Sequence, residues 1–284
     1  MPRIDVRMPA GEGIAVGQTA TFKLPIGRRY HQLRLIGSAT TFSVSDITEI
    51  RLFINGQVAQ RFSGAQRDKM NQFDGRHPAT IDATSFELVI PFDRYKLNTL
   101  AGEEETALNT GSADPKTGQQ ITSVYMEVDL ANPGGITGTP TFLLLATQSE
   151  ALAGGPGTVM FIQRFTRNIA GSGDFDIADL PRGDANRIAL NRVFFNPDAN
   201  NITRIVAERN QYIIWDRTST DNVRVQNDGY RVPQIGWFVI DKTENAAGGD
   251  PIDLLGAADF RFRLSVDGAM NPAIIAEYLG TLAN

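Results

Sequence analysis

The sequence predicts an all-β chain built as two tandem eight-stranded jelly rolls, with a few short helices confined to loops. Three observations point there: apolar residues alternating with polar ones, Gly and Pro punctuating short segments, and a faint internal repeat. The 284 residues, 42% of them hydrophobic, are enough for two cores of ordinary size, whereas one β-sandwich rarely needs so many.

Alternation decides the secondary-structure class. From Asp259 to Asp267, Phe260, Phe262, Leu264 and Val266 interleave with Arg261, Arg263 and Ser265, a strict period of two that makes a strand with one wet face. Ile50, Leu52 and Ile54 repeat the pattern, as do Phe86, Leu88 and Ile90, and Val124, Met126 and Val128. The continuous runs Phe142 to Ala146, Trp237 to Ile240 and Ala273 to Ile275 suit strands covered on both faces. Short helices are expected over Ala65 to Phe73, over Tyr95 to Leu100 and around Asp221, none with an apolar stripe long enough to organise a core.

The repeat rests on four anchors in the same order. Leu24, Pro25 and Gly27 return as Leu180, Pro181 and Gly183, 156 positions on, and Ile47, Thr48, Ile50 and Asn55 return as Ile202, Thr203, Ile205 and Asn210, 155 positions on. Pro91 and Asp93 then match Pro251 and Asp253 at a shift of 160, and Val128, Asp129 and Ala131 match Val266, Asp267 and Ala269 at 138. The drop places an insertion in the first copy, at the polar stretch Gly102 to Gln119. The organisation expected is an N-terminal arm (1–17), a first jelly roll (18–150), a flexible small-residue connector (151–157) and a second jelly roll (158–284).

Composition excludes several function classes. A formal net charge of -5 gives no global attraction to nucleic acid, and with no cysteine there is neither a disulfide framework nor a thiolate metal site. The N-terminus has no apolar core of signal-peptide length and no apolar run is long enough to cross a bilayer as a helix, so a soluble product is expected.

Three stretches carry a family resemblance: Phe22-Lys23-Leu24-Pro25-Ile26-Gly27, Ile177-Ala178-Asp179-Leu180-Pro181-Arg182 followed by Arg187-Ile188-Ala189, and Ile274-Ile275-Ala276-Glu277-Tyr278-Leu279-Gly280. They resemble the corticovirus major capsid proteins, of the adenovirus hexon-like lineage, at corresponding places across both domains. The resemblance implies a structural protein that is no enzyme: an upright double jelly roll, homotrimeric capsomers meeting neighbouring capsomers, and an inner lipid membrane touched peripherally. It implies minor capsid, membrane and vertex proteins as further partners, no specific nucleic acid, and a place in the virion shell after assembly from the host cytoplasm. No catalytic or cofactor residue is inherited from it. The Ala101 to Gly118 and Trp215 to Val232 regions depart from the family pattern.

Enzymatic readings find little support in the residues. His31 and His77 are the only imidazoles, each alone in its neighbourhood, and no Gly-x-Ser-x-Gly elbow is present. His77, before Pro78, reads as a turn residue, and His31, beside Tyr30, as a strand-surface residue. The glycines of Gly11 to Gly17 miss the dinucleotide spacing by one residue and no Walker phosphate loop occurs. Two acidic groups, Asp174, Asp176 and Asp179, and Asp241, Glu244, Asp250 and Asp253, follow no calcium-loop pattern and read as solvated turns. Structural calcium between subunits is compatible with the resemblance, without assigned ligands, and no cofactor is required. Arg182-Gly183-Asp184 and the acceptor triplet Asn201-Ile202-Thr203 read as accidental, and Phe194, Phe195, Tyr212, Trp215 and Trp237 as packing residues rather than base-stacking platforms. The alternatives from other classes are a carbohydrate-binding or spike-like double β-sandwich and a β-rich glycan hydrolase.

Overall fold

Period-two alternation becomes two packed sheets in each half of the chain. The computed structural model describes residues 2–131, 135–248 and 250–282. In chain order the first half contains β1 (Ile4–Arg7), β2 (Thr19–Leu24), β3 (Arg28–Ser38), β4 (Ile47–Ile54), β5 (Gln57–Phe62), α1 (Gly64–Phe73), β6 (Ser85–Pro91), α2 (Leu100–Glu104), β7 (Leu108–Asn109), β8 (Val124–Leu130) and β9 (Thr141–Glu150). The second contains β10 (Val159–Thr166), β11 (Gly173–Ile177), β12 (Ala189–Asn196), β13 (Ile202–Arg209), β14 (Tyr212–Thr218), α3 (Ser219–Gln226), β15 (Phe238–Asp241), β16 (Ile252–Asp253), β17 (Phe260–Val266) and β18 (Ala273–Gly280). Two compact units result, changing over between Met160 and Phe161, and the second also takes in Phe73–Gly75.

In the first unit one sheet has the order β1-β9-β3-β6, with β7 on β3, and the other β2-β8-β4-β5. Leu33, Leu35, Ile50, Leu52, Phe86, Leu88, Met126 and Val128 are wholly buried on the inner faces. Phe42, Phe86 and Phe142 meet edge to face there, with centroids 4.9 to 6.4 Å apart. In the second unit the sheets run β11-β17-β13-β14 and β10-β18-β12-β15, with β16 on β12. Each unit thus has four main strands per sheet, the layering of a jelly roll.

The repeat is more regular in hydrogen bonding than in residue identity. Both β4 and β13 carry one extra residue in register, between Ile47 and Glu49 and between Ile202 and Arg204. The bulged residues are Thr48 and Thr203, whose hydroxyls donate to the Asp129 and Ser265 carbonyls at 3.2 and 3.0 Å. Both hairpins then turn on an asparagine with positive φ, Asn55 at 51° and Asn210 at 49°. Each caps the chain entering the next strand: Asn55 Oδ1 accepts from the Thr122 and Ser123 amides, and Asn210 Oδ1 from those of Ala258 and Asp259. A helix follows each hairpin. Asn71 of α1 donates to the Val89 carbonyl and Gln226 of α3 to the Val239 carbonyl, both at 2.8 Å.

Register also corrects the sequence anchors. Leu130 faces Ile47 as Val266 faces Ile202, so Val128-Asp129 lies two residues out of step with Val266-Asp267. Ile252–Asp253 forms β16 against β12, whose counterpart is β7 against β3, not Pro91 to Asp93 at the end of β6. Leu24 ends β2, whereas Leu180 lies past the end of β11, in a loop of different length. Short turn identities recur by chance, while cross-strand pairing fixes each residue's face. With the true counterparts, the excess of the first copy is spread on both sides of β7 rather than confined to Gly102 to Gln119.

Other expectations shift too. The segment 1–17 supplies β1, an edge strand paired to β9 as β10 lies beside β18. The connector 151–157 is tied down, since Asn109 Nδ2 donates to the Leu152 and Gly155 carbonyls at 2.8 and 2.7 Å. The helix expected over Tyr95 to Leu100 begins instead at Leu100, where Thr99 Oγ1 accepts from the Gly102 amide as an N-cap. Phe142 to Ala146 is buried on alternate residues only, while β15 and most of β18 are covered on both faces. Gly280 closes β18 because a Cβ there would lie 2.4 Å from the Asn186 carbonyl carbon.

The two hairpin turns differ in one residue of consequence. Asn55 is followed by Gly56 (φ 78°), but Asn210 by Gln211 (φ 70°), a side chain in the left-handed region. Gln211→Gly should therefore stabilise the protein by about 0.5–1 kcal/mol, read as a higher denaturant midpoint at unchanged slope. An equal or lower midpoint would contradict this account of the turn.

Candidate functional site

The chemistry-bearing residues fall into two places, the bulge of β3 in the first unit and the bulge of β12 in the second. In β3 the extra residue is His31, between Tyr30 and Gln32, and in β12 it is Asn191, between Leu190 and Arg192. A bulge turns a backbone carbonyl out of its ladder. That of His31 accepts from the Phe92 amide at 2.9 Å and that of Asn191 from the Lys242 amide at 3.1 Å.

His31 is buried, against the expectation of a strand-surface residue. Its Nδ1 lies 2.9 Å from Asp93 Oδ2 and its Nε2 2.8 Å from Ser149 Oγ, the same sequence of partners as a hydrolase triad. The resemblance stops at the partners. Ser149 is itself buried, and the cleft that reaches His31 is lined by Gln32, Thr147 and Tyr95 and not by Ser149. A nucleophilic hydroxyl needs an open path to its substrate and donors around the developing oxyanion. Here the ring fills a bulge between Asp93 and Ser149, as Asn191, whose Nδ2 donates to Glu277 Oε2 at 3.4 Å, fills the bulge of the other copy. His77 is exposed in the loop after α1.

The second bulge borders a buried ion cluster. Arg192 grips Glu277 with two bonds, Nε to Oε2 at 2.6 Å and Nη2 to Oε1 at 2.9 Å, and turns Nη1 to Asp74. Beside it Arg231 Nε donates to Asp241 Oδ2 at 2.9 Å, while Thr243 donates its amide and hydroxyl to Asp241 Oδ1. Burial works against the Arg192 charge, yet Asp74, Glu277 and Asp241 more than reverse it and raise the guanidinium well above its ordinary range. Nothing in the sequence announced this cluster, because Asp74, Arg192 and Glu277 are far apart along the chain.

The remaining candidates are committed elsewhere. Asp176 pairs with Arg263, Asp179 with Arg167, and Asp174 accepts from Ser265. Asp241, Glu244, Asp250 and Asp253 each pair with a different cation, Arg231, Arg217, Lys242 and Arg209. Among the described residues no three acidic or imidazole groups converge as a metal site. Arg182 is spent on the Ala178, Ala257 and Ala258 carbonyls and Asp184 on Arg187. Asn201 binds Asp267, and Thr203 is the bulge residue of β13. Phe194, Phe195 and Trp215 are buried, Trp215 beneath the Arg217 guanidinium at 3.9 Å, whereas Tyr212 is exposed. Among the described residues no helix is long and apolar enough to cross a membrane.

Comparison with family models gives two adjoining matches, the viral coat protein P2 N-terminal domain over residues 5–148 and the viral coat protein P2 C-terminal domain over residues 159–282. The chain belongs to the viral coat protein P2 family. Comparison with curated protein sequences finds no match. Among solved structures, the major capsid protein P2 of bacteriophage PM2 superimposes with a TM-score of 0.84 at 18% identity, covering 100% of this chain and 99% of that one. The atomic structure of Sulfolobus Turreted Icosahedral Virus gives 0.71 at 12% identity, covering 99% and 91%. The PBCV-1 virus capsid gives 0.65 at 9% identity, covering 98% and 93%. The double jelly roll and the corticovirus-type resemblance of the sequence are thereby established. As a member of this family the chain is a structural coat protein, not an enzyme, and it acts in the virion capsid by associating with other shell components.

Two outcomes follow from these sites. Arg192→Ala leaves Asp74 and Glu277 buried without their cation and should cost ~3–5 kcal/mol in urea unfolding. A loss below 1 kcal/mol would mean that the cluster is not formed. Ser149→Ala, which removes a buried hydroxyl that does not line the cleft, should yield protein that assembles as wild type in a particle sedimentation assay. A folded variant that no longer assembles would contradict the structural role assigned to His31 and Ser149.

Proposed function

We propose that this chain is the major capsid protein of an icosahedral virus, standing as homotrimeric capsomers above an internal lipid membrane. The observation that carries the reading is the duplication. Two jelly rolls per chain with matching bulges, turns and helices give three chains six similar walls, so a threefold capsomer fills a hexagonal position in a closed shell. Family membership supports the shell role, and the PM2 likeness supports this arrangement over other coat architectures.

The chain has no cysteine for covalent links between subunits, so packed surfaces hold the shell together. Contact with the membrane is then peripheral, and minor capsid, membrane and vertex proteins are the remaining partners. The chain is made in the host cytoplasm and joins the shell from there. Assembly needs no cofactor in this reading: of the acidic residues weighed as calcium ligands, Asp174 accepts from the Ser265 hydroxyl and the others pair with arginine or lysine.

Light scattering on purified protein at micromolar concentration should give about three times 31.0 kDa, unchanged by a chelator of divalent cations. A monomer over that range would overturn the trimer. Dissociation on chelation would restore calcium as a requirement.

A further inference from the structure

The two β3-type bulges face equivalent clefts with different contents. In the second unit Phe73–Gly75 belong to the compact body: the Asp74 carboxylate meets Arg192, the Phe73 ring stands edge-on to Phe194 at 5.6 Å, and the Phe73 carbonyl accepts from the Val232 amide at 2.8 Å. Strand register assigns the counterparts in the first unit. Gln32 takes the place of Arg192, because each follows its bulge and pairs across to Thr147 or Glu277. Arg76 takes the place of Arg231 by chain position, 155 residues apart like the bulges of β4 and β13 and the hairpin asparagines before them. Between Gln32, Arg76, Tyr95, Arg94 and Thr147 lies a cavity of about 170 Å³.

The segment that stands to α3 as Phe73–Gly75 stand to α1 is 228–230. It lies at the end of a helix turned inside out. The buried residues of α3 are polar, Asn222 and Gln226, both bonded to the Val239 carbonyl, while Val223 and Val225 are each 47% exposed. Half-exposed Tyr230 and Val232 and fully exposed Ile235 continue the apolar surface. Ordinary amphipathic helices do the reverse, and an apolar surface of this kind marks a contact with another macromolecule.

We infer that the tip of α3, residues 226–230, of one copy seats in the Gln32 cleft of a second copy of this chain, with Val223, Val225 and Ile235 packing around its rim. The inference rests on the self-associating capsomer proposed above and specifies its contact. The tip brings its acid one residue earlier than Asp74, at Asp228 in the place of Phe73, with Oδ1 accepting from the Tyr230 and Arg231 amides. The contact is head to tail, since tip and cleft lie on different units, and a contact of that kind ends only when a ring closes.

The cysteine-free chain makes the test direct. Tyr230→Cys is combined in one chain with Gln32→Cys, and separately with Arg76→Cys, and the assembled protein is treated with a short bismaleimide. A denaturing gel should show a three-chain band for at least one pair, and no band beyond two chains for any single-cysteine variant. In parallel, Val223→Ser with Val225→Ser should raise the concentration at which capsomers dissociate by about tenfold or more, with circular dichroism unchanged. Trimers by light scattering that never link through either pair would overturn this contact and leave the capsomer standing. Monomers by light scattering would overturn the capsomer itself, and this contact with it.

Discussion

Strand register is the constraint on which the rest of this molecule depends. A one-residue slip in β4 would turn Ile50, Leu52 and Ile54 from the core to solvent and bring Arg51 inside, and the same slip in β13 would expose Ile205. Bulges absorb extra residues without such a slip, among them Thr48, Thr203, His31 and Asn191. Each returns its displaced polar groups to a partner, the threonines through their hydroxyls and His31 and Asn191 through their carbonyls. These are one device used twice, and its repetition at matching places makes the two units readable as copies after residue identity has faded.

The copies have diverged most where polar groups are buried. At the β3 bulge His31 joins Asp93 and Ser149 in a small hydrogen-bonded network, while at the β12 bulge Arg192 collects three carboxylates around itself. A buried ion pair is a weak source of net stability but a strong selector of arrangement, because removing any one member strands the others away from water. Arg192 therefore fixes where Phe73–Gly75 must lie more than it strengthens the fold. Difference between equivalent sites also suits a shell subunit, since identical clefts would not distinguish one unit from the other during assembly.

Much of this was legible in the sequence, for physical reasons that mark where reading stops. β4, β6, β8 and β17 each bury one face against a core and so carry a period of two, whereas β1 exposes most of its four residues and leaves no pattern. The helix at Leu100–Glu104 starts where Thr99 caps it, and a helix of five residues is too short to carry an apolar period that would place it in the sequence. The repeat was visible at Ile47 to Asn55 because a bulge and a positive-φ turn tolerate few residues there. It misled at Pro91 and Val128, where turn residues recur for reasons of local geometry alone. The buried charges were beyond reach, since Arg192 and Asp74 are brought together by the fold and look like ordinary surface residues in isolation.

Family membership and the double sandwich converge on a shell subunit present in many copies. The most direct measurement is the protein stoichiometry of purified particles by quantitative mass spectrometry, with lipid extracted from the same particles. The account predicts that this chain is the most abundant protein by a wide margin and that the particles contain lipid. Particles in which it is a minor component, with another protein forming the shell, would contradict it.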